Sequence, residues 1–179
     1  MRNITRASIA LIGAVALTGA TALSASAEPI SDGGAPVTVA VDGGELVLGA
    51  PSALALTAAA PNAPATGILG SMTVTDTTAS TIDWTVQVTV SNFVSTVNAT
   101  VVDTIPAAAF TYSPNVATTT GVATVVAGAD STGGVLSTAQ SATAVHGNNT
   151  ASWTADVTLD IPSDALAGDY TGTVTHSLL

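Results

Sequence analysis

Apolar and polar residues alternate one for one through much of the second half of the chain. In "DWTVQVTVSNF" (residues 83–93), Trp84, Val86, Val88 and Val90 fall on one side, and Thr85, Gln87, Thr89 and Ser91 on the other. "ASWTADVTLDIP" repeats the period, with Trp153, Ala155, Val157, Leu159 and Ile161 opposing Thr154, Asp156, Thr158 and Asp160. "YTGTVTHSLL" sets Tyr170, Gly172, Val174, His176 and Leu178 against Thr171, Thr173, Thr175 and Ser177. The shorter "GSMTVTDT" puts Met72 and Val74 together on one face. A period of two is the mark of a half-buried antiparallel strand. Threonine on the outward positions suits strands while keeping that face wet.

Weaker signals fill the remainder. "VTVAVDGGELVLG" has two apolar runs around Asp42-Gly43-Gly44, which predicts a hairpin. Prolines 51, 61 and 64 in "APSALALTAAAPNAPATG" predict a connecting loop with one extended stretch rather than a helix. "VNATVVDTIP" predicts a strand ended by Pro106, "FTYSPN" a short extended piece, and "GVATVVAGADSTGG" a strand followed by a Gly-rich loop. "LSTAQSATAVHGNNT" is less periodic and reads as a helical turn or an edge strand, with His146 in a loop. No convincing amphipathic helix appears. The expected class is all-β, an antiparallel β-sandwich or barrel-like sandwich of short strands.

The first residues change the picture of compartment. Arg2 and Arg6 precede an apolar stretch over residues 7–23 and the small-x-small site Ala25-Ser26-Ala27, the three parts of a secretory signal. The expected organisation is a cleaved signal peptide (1–27), a flexible leader (28–36) and one β domain (37–179). The stretch is too short and too rich in Gly and Thr to suggest a transmembrane anchor. The two basic residues of the chain both lie in that signal, against 12 Asp and Glu beyond it. A domain without Lys or Arg cannot neutralise phosphates, so nucleic acid is not an expected partner. Cysteine is absent, so an exported chain must rely on its core, which favours a bacterial exterior over a eukaryotic secretory route.

Catalytic chemistry leaves no clear trace. Nucleophile-elbow, phosphate-loop and zinc-pair patterns are missing, and no cofactor is expected. His146 and His176 lie in separate segments, and His176 on an apolar face reads as a packed histidine with one ring nitrogen bonded. The Asp156/Asp160 and Asp164/Asp169 spacings offer a weak calcium alternative that lacks the EF-hand pattern.

The segments "LGSMTVTDTTASTIDWTVQVTVSNF", "TIPAAAFTYSPN" and "ASWTADVTLDIPSDALAGDYTGTVTHSLL" together resemble a WxL domain of secreted actinobacterial type, over about residues 45–179. The first signature falls at Trp84-Thr85-Val86, with Val in place of Leu. The second falls at His176-Ser177-Leu178, with His in place of Trp. The resemblance implies a secreted, non-enzymatic surface protein of a Gram-positive bacterium, attached non-covalently to the cell wall. Its implied partners are peptidoglycan or other exported surface proteins. Trp84, Val86, His176 and Leu178 are then the candidate binding residues. A Trp on an alternating apolar face, however, reads first as core and only second as a stacking surface for sugar. Two other classes remain: a structural or assembly subunit that pairs with surface proteins by β-strand addition, and, behind it, a hydrolase.

Overall fold

The computed structural model describes residues 37–95 and 103–179. The expected signal peptide, the leader and most of the strand expected in "VNATVVDTIP" lie outside the described residues. Residues 39–179 form one compact unit, separate from the unit that ends at Thr38. Among the described residues no helix is long and apolar enough to cross a membrane.

All described strand pairs of the unit are antiparallel. Its larger sheet contains β1 (Leu46–Gly49), β2 (Pro64–Asp76) and β3 (Trp84–Val90), then β6 (Phe110–Pro114), β7 (Thr118–Ala127), β8 (Ser131–Thr132), β9 (Ser137–Asp160) and β11 (Val174–Leu178). Its smaller sheet holds β4 (Phe93–Ser95), β5 (Thr104–Ile105) and β10 (Tyr170–Thr171). Among the described residues, one 3-10 turn, at Ala107–Ala109, precedes β6.

β9 organises the larger sheet. Its first arm pairs with β3, Trp84 opposite Ala142 and Val88 opposite Ser137, while its second arm pairs with β2 from Asn149 to Asp160. Along the other edge it carries β7 and then β6. β11 lies outside β3 and β1 outside β2, and these two outer strands approach each other without pairing. The result is a nearly closed, barrel-like sheet with one open seam, between β1 and β11.

The expected alternation holds where strands run straight. Trp84, Val86, Val88, Met72, Val74, Trp153, Ala155, Val157 and Leu159 are all buried in one core with Phe110 and Tyr112. Alternation fails where β9 bends. Ala144 and Gly147 have φ of 53° and 71°, and the pairing with β7 shifts register beside them, between Gly121 and Thr124. A further shift opposite Val86 and Gln87 leaves the consecutive residues Ala139 and Gln140 both buried. Each extra residue reverses which face the next one occupies. This explains why "LSTAQSATAVHGNNT" lacks a period, although it is continuous strand and not a helical turn. His146 is therefore an exposed strand residue and not a loop residue.

Two further expectations are corrected. Asp42-Gly43-Gly44 does not turn a hairpin, because β1 pairs with β2, Leu46 opposite Asp76. The glycines instead let the chain pass close to residues 77 and 78: Gly44 N–H donates to Thr77 O at 2.7 Å, and a Cβ on Gly43 would fall 2.4 Å from Thr78 O. The closing run "YTGTVTHSLL" is also divided, β10 joining β4 while β11 joins β3. Gly172 lies at the crossing, where a Cβ would meet the Phe93 ring at 2.7 Å.

One buried polar chain fastens the bend. The Trp84 indole N–H donates to Asn149 Oδ1 at 3.2 Å, and Asn149 Nδ2 donates to Asp76 Oδ2 at 2.8 Å. Asp76 Oδ1 accepts from the Thr78 hydroxyl at 2.7 Å and from the Thr78 N–H at 2.9 Å. Burial pushes the Asp76 carboxyl up, but the bonds from Thr78 and Asn149 outweigh it and hold the group below its usual range.

Asn149→Ala strands the Trp84 N–H and one Asp76 oxygen, so it should destabilise the domain by about 2–4 kcal/mol, read from urea midpoints. A loss within experimental error would show that the chain of bonds contributes nothing. Because the folded carboxyl titrates lower than the unfolded one, the Asp76 contribution is full above the unfolded pKa of about 3.9 and disappears as pH falls through the folded value. Asp76→Asn should accordingly flatten that acid limb in melts taken from pH 6 to pH 2, whereas an unchanged limb would assign it to other carboxylates.

Candidate functional site

The four residues singled out in the sequence lie on two adjacent strands. β3 and β11 pair with Val86 opposite Leu178 and Val88 opposite His176, and Thr85 and Leu179 exchange two backbone bonds of 2.9 Å. The proximal and distal signature segments, far apart in sequence, are thus neighbours. Their exposure differs: Trp84 and Val86 are 1% and 0% exposed, whereas His176 and Leu178 are half-buried beside the seam. Trp84 is core, with its only polar atom committed to Asn149.

His176 packs against Tyr112 of β6, ring centroids 5.6 Å apart, with Nε2 at 3.1 Å from the phenol oxygen. Tyr112 also lies 3.5 Å from Met72 Sδ. A phenol has one proton; given to Met72, it leaves the oxygen free to accept from Nε2–H, which satisfies all three groups. Burial pushes the Tyr112 phenol up and the His176 imidazole down, in each case by disfavouring the charged form. The Trp153 indole nitrogen, close enough to Tyr112 to oppose its shift, is buried without a hydrogen bond, as is Gln140 Oε1.

A second region was not visible in the alternating runs. An apolar cleft of about 600 Å³ lies between the Ala/Pro-rich segment and residues 165–172, lined by Leu54, Leu56, Phe93, Ile161, Leu166 and Tyr170. It continues into a space of about 380 Å³ whose floor includes Leu69, Phe110 and Val157. Backbone ties hold the Ala/Pro-rich wall: Thr57 N–H to Thr66 O, and Asn62 N–H to Ile161 O, both at 2.9 Å. Asp103 holds the other wall, accepting from Leu166 N–H at 2.9 Å and from the Tyr170 hydroxyl. The Leu166 N–H, then the Tyr170 hydroxyl, keep the Asp103 carboxyl below its usual range. Asp169 is the one ionisable carboxylate in the lining. The cleft suits an uncharged partner that offers both apolar faces and polar groups. The available sequence signal was "APSALALTAAAP", an uncharged run too apolar for an ordinary solvated loop.

Among the described residues, His, Asp and Glu gather into no group able to hold a metal ion, including the Asp156/Asp160 and Asp164/Asp169 pairs. Comparison with family models, with curated proteins and with solved structures finds no match in any of the three.

The His176 environment has a direct readout. Since burial lowers its folded pKa, its contribution to stability is full above the unfolded pKa of about 6.5 and is lost as pH falls from there to the folded value. An NMR titration should place the His176 midpoint below 6.5, and a midpoint at or above that value would contradict the packed, neutral imidazole.

Proposed function

We propose that the chain is a secreted, non-enzymatic surface protein built on a WxL-like domain and associated non-covalently with the cell wall. The observation that supports this most is that the strands carrying the two signature segments are paired neighbours, β3 beside β11, the segments themselves meeting at Val86 opposite Leu178. Gly168, Tyr170 and Gly172, which lie in the last of the three segments that carry the resemblance, form a wall of the cleft. In this proposal Trp84 builds the domain and the cleft makes the contact. The partner surface is the uncharged part of peptidoglycan, because the described residues contain no Lys or Arg to hold anionic wall polymers.

Co-sedimentation with purified peptidoglycan tests the proposal. Wild type should pellet, and Ala167→Trp, which places a large ring at an exposed position of the cleft rim, should weaken binding about tenfold, a change of about 1.4 kcal/mol. Wild type remaining in the supernatant would defeat the wall assignment. Equal binding by a folded Ala167→Trp protein would move the contact away from the cleft.

A further inference from the structure

The seam between β1 and β11 is where the core is least complete. Inward-facing residues of β2 and β3, such as Met72, Val74 and Val86, are 0% exposed. Their counterparts on the outer strands, Leu46 and Leu48 of β1 and Val174, His176 and Leu178 of β11, are only half-buried. β11 pairs on one edge alone, with β3; β1 stands near its other edge without bonding to it, so that edge keeps unused backbone donors and acceptors. A missing neighbour accounts for both facts.

The same chain carries an unpaired strand. Residues 37–41, Val-Thr-Val-Ala-Val, alternate like the core strands, yet no strand pairs with them. Val39 and Val41 are 86% and 77% exposed. The segment is five residues long, as is β11. Neither contains a carboxylate, so in a chain of net charge −10 these are stretches that can meet without like-charge repulsion.

The chain that follows the segment is clamped. Gly44 N–H to Thr77 O at 2.7 Å, Glu45 N–H to Thr77 Oγ1 at 2.9 Å and Thr77 N–H to Glu45 O at 2.9 Å continue the β1–β2 ladder past the end of both strands. Gly43 lies against Thr78, where even a Cβ would collide. Folding back over β11 would require reversing the chain inside this clamp.

We propose that residues 37–41 of one copy add as a strand along the unpaired β11 edge of a second copy, with β1 parting further from β11 to admit it, and cover Val174, His176 and Leu178. Main-chain bonds supply affinity, and the alternate valines Val37, Val39 and Val41 cover the half-exposed row. Donor and acceptor are different surfaces, so each added copy leaves one of each free, and the contact generates open chains of copies rather than a closed dimer. The inference is independent of wall binding and gives the strand-addition class of function a specific surface.

Light scattering across micromolar to millimolar concentrations should show wild type growing into oligomers. The Val39→Asp/Val41→Asp variant should remain monomeric with an unchanged melting temperature, because both positions are exposed in the fold. A peptide of residues 36–42 should bind that variant and shift the amide resonances of Val174–Leu178, while the same peptide with Asp at position 39 should not. Three outcomes would overturn the proposal: a wild type that stays monomeric throughout, assembly that persists in the double variant, or peptide shifts confined to other strands.

Discussion

The Trp84–Asn149–Asp76 chain of hydrogen bonds is the constraint on which the barrel depends. Asp76 ends β2, Trp84 begins β3, and Asn149 stands where β9 leaves its bend. Two strand ends and the middle of a third strand are therefore joined by two buried bonds. The carboxylate has no cationic neighbour to neutralise it, since the described residues contain neither Lys nor Arg. Hydrogen bonds alone must outweigh its desolvation, which makes each of them costly to remove. The 77–83 connection is drawn into the same arrangement: Ser80 O accepts from Gly147 N–H at 2.8 Å, and Ala79, at φ 52°, donates its N–H to Asn148 Oδ1 at 3.1 Å. An alanine in that left-handed conformation is strained, and the surrounding bonds hold it there.

Once the bend is fixed, the rest of the topology follows. A 24-residue strand that changed direction without support would expose its unpaired ladder. Here both arms are covered, by β3 and β2 on one edge and by β7 and β6 on the other. The irregularity between β6 and β7 is sealed from inside by Gln140, whose Nε2 donates to Asn115 O at 2.8 Å. Bulges thus let one strand serve both sides of the barrel, which is a common means of turning a sheet corner.

This geometry explains what was legible in the sequence. Trp84, Val86, Val88 and the row from Trp153 to Leu159 were readable because an uninterrupted strand keeps its period. The first arm of β9 was not, because register shifts erase the period without ending the strand. The Gly43-Gly44 pair misled for a different reason. Glycine serves tight turns and close backbone approach alike, and only the position of Thr77 and Thr78 distinguishes them. The core position of Trp84 could be inferred locally, whereas its acceptor Asn149 lies 65 residues away and no local pattern points to it. The cleft was hidden for a similar reason: its walls are irregular segments brought together by strands that lie between them in sequence.

The two sides of the barrel differ in how completely they are satisfied. At the knot, the buried polar atoms of Trp84, Asn149 and Asp76 find partners, and the surrounding apolar residues are sealed. Beneath the seam, the Trp153 indole N–H remains unpartnered, Tyr112 and His176 share a bond at the margin of the core, and the apolar row on β11 stays half open. The proposed strand along β11 would remove hydrocarbon from water and break no bond between β1 and β11, because these two strands approach without pairing. The opposite side offers no comparable gain, since any rearrangement there breaks charged hydrogen bonds first. Rigidity is therefore concentrated around the β9 bend, whereas the proposed association is assigned to the strand that carries His176.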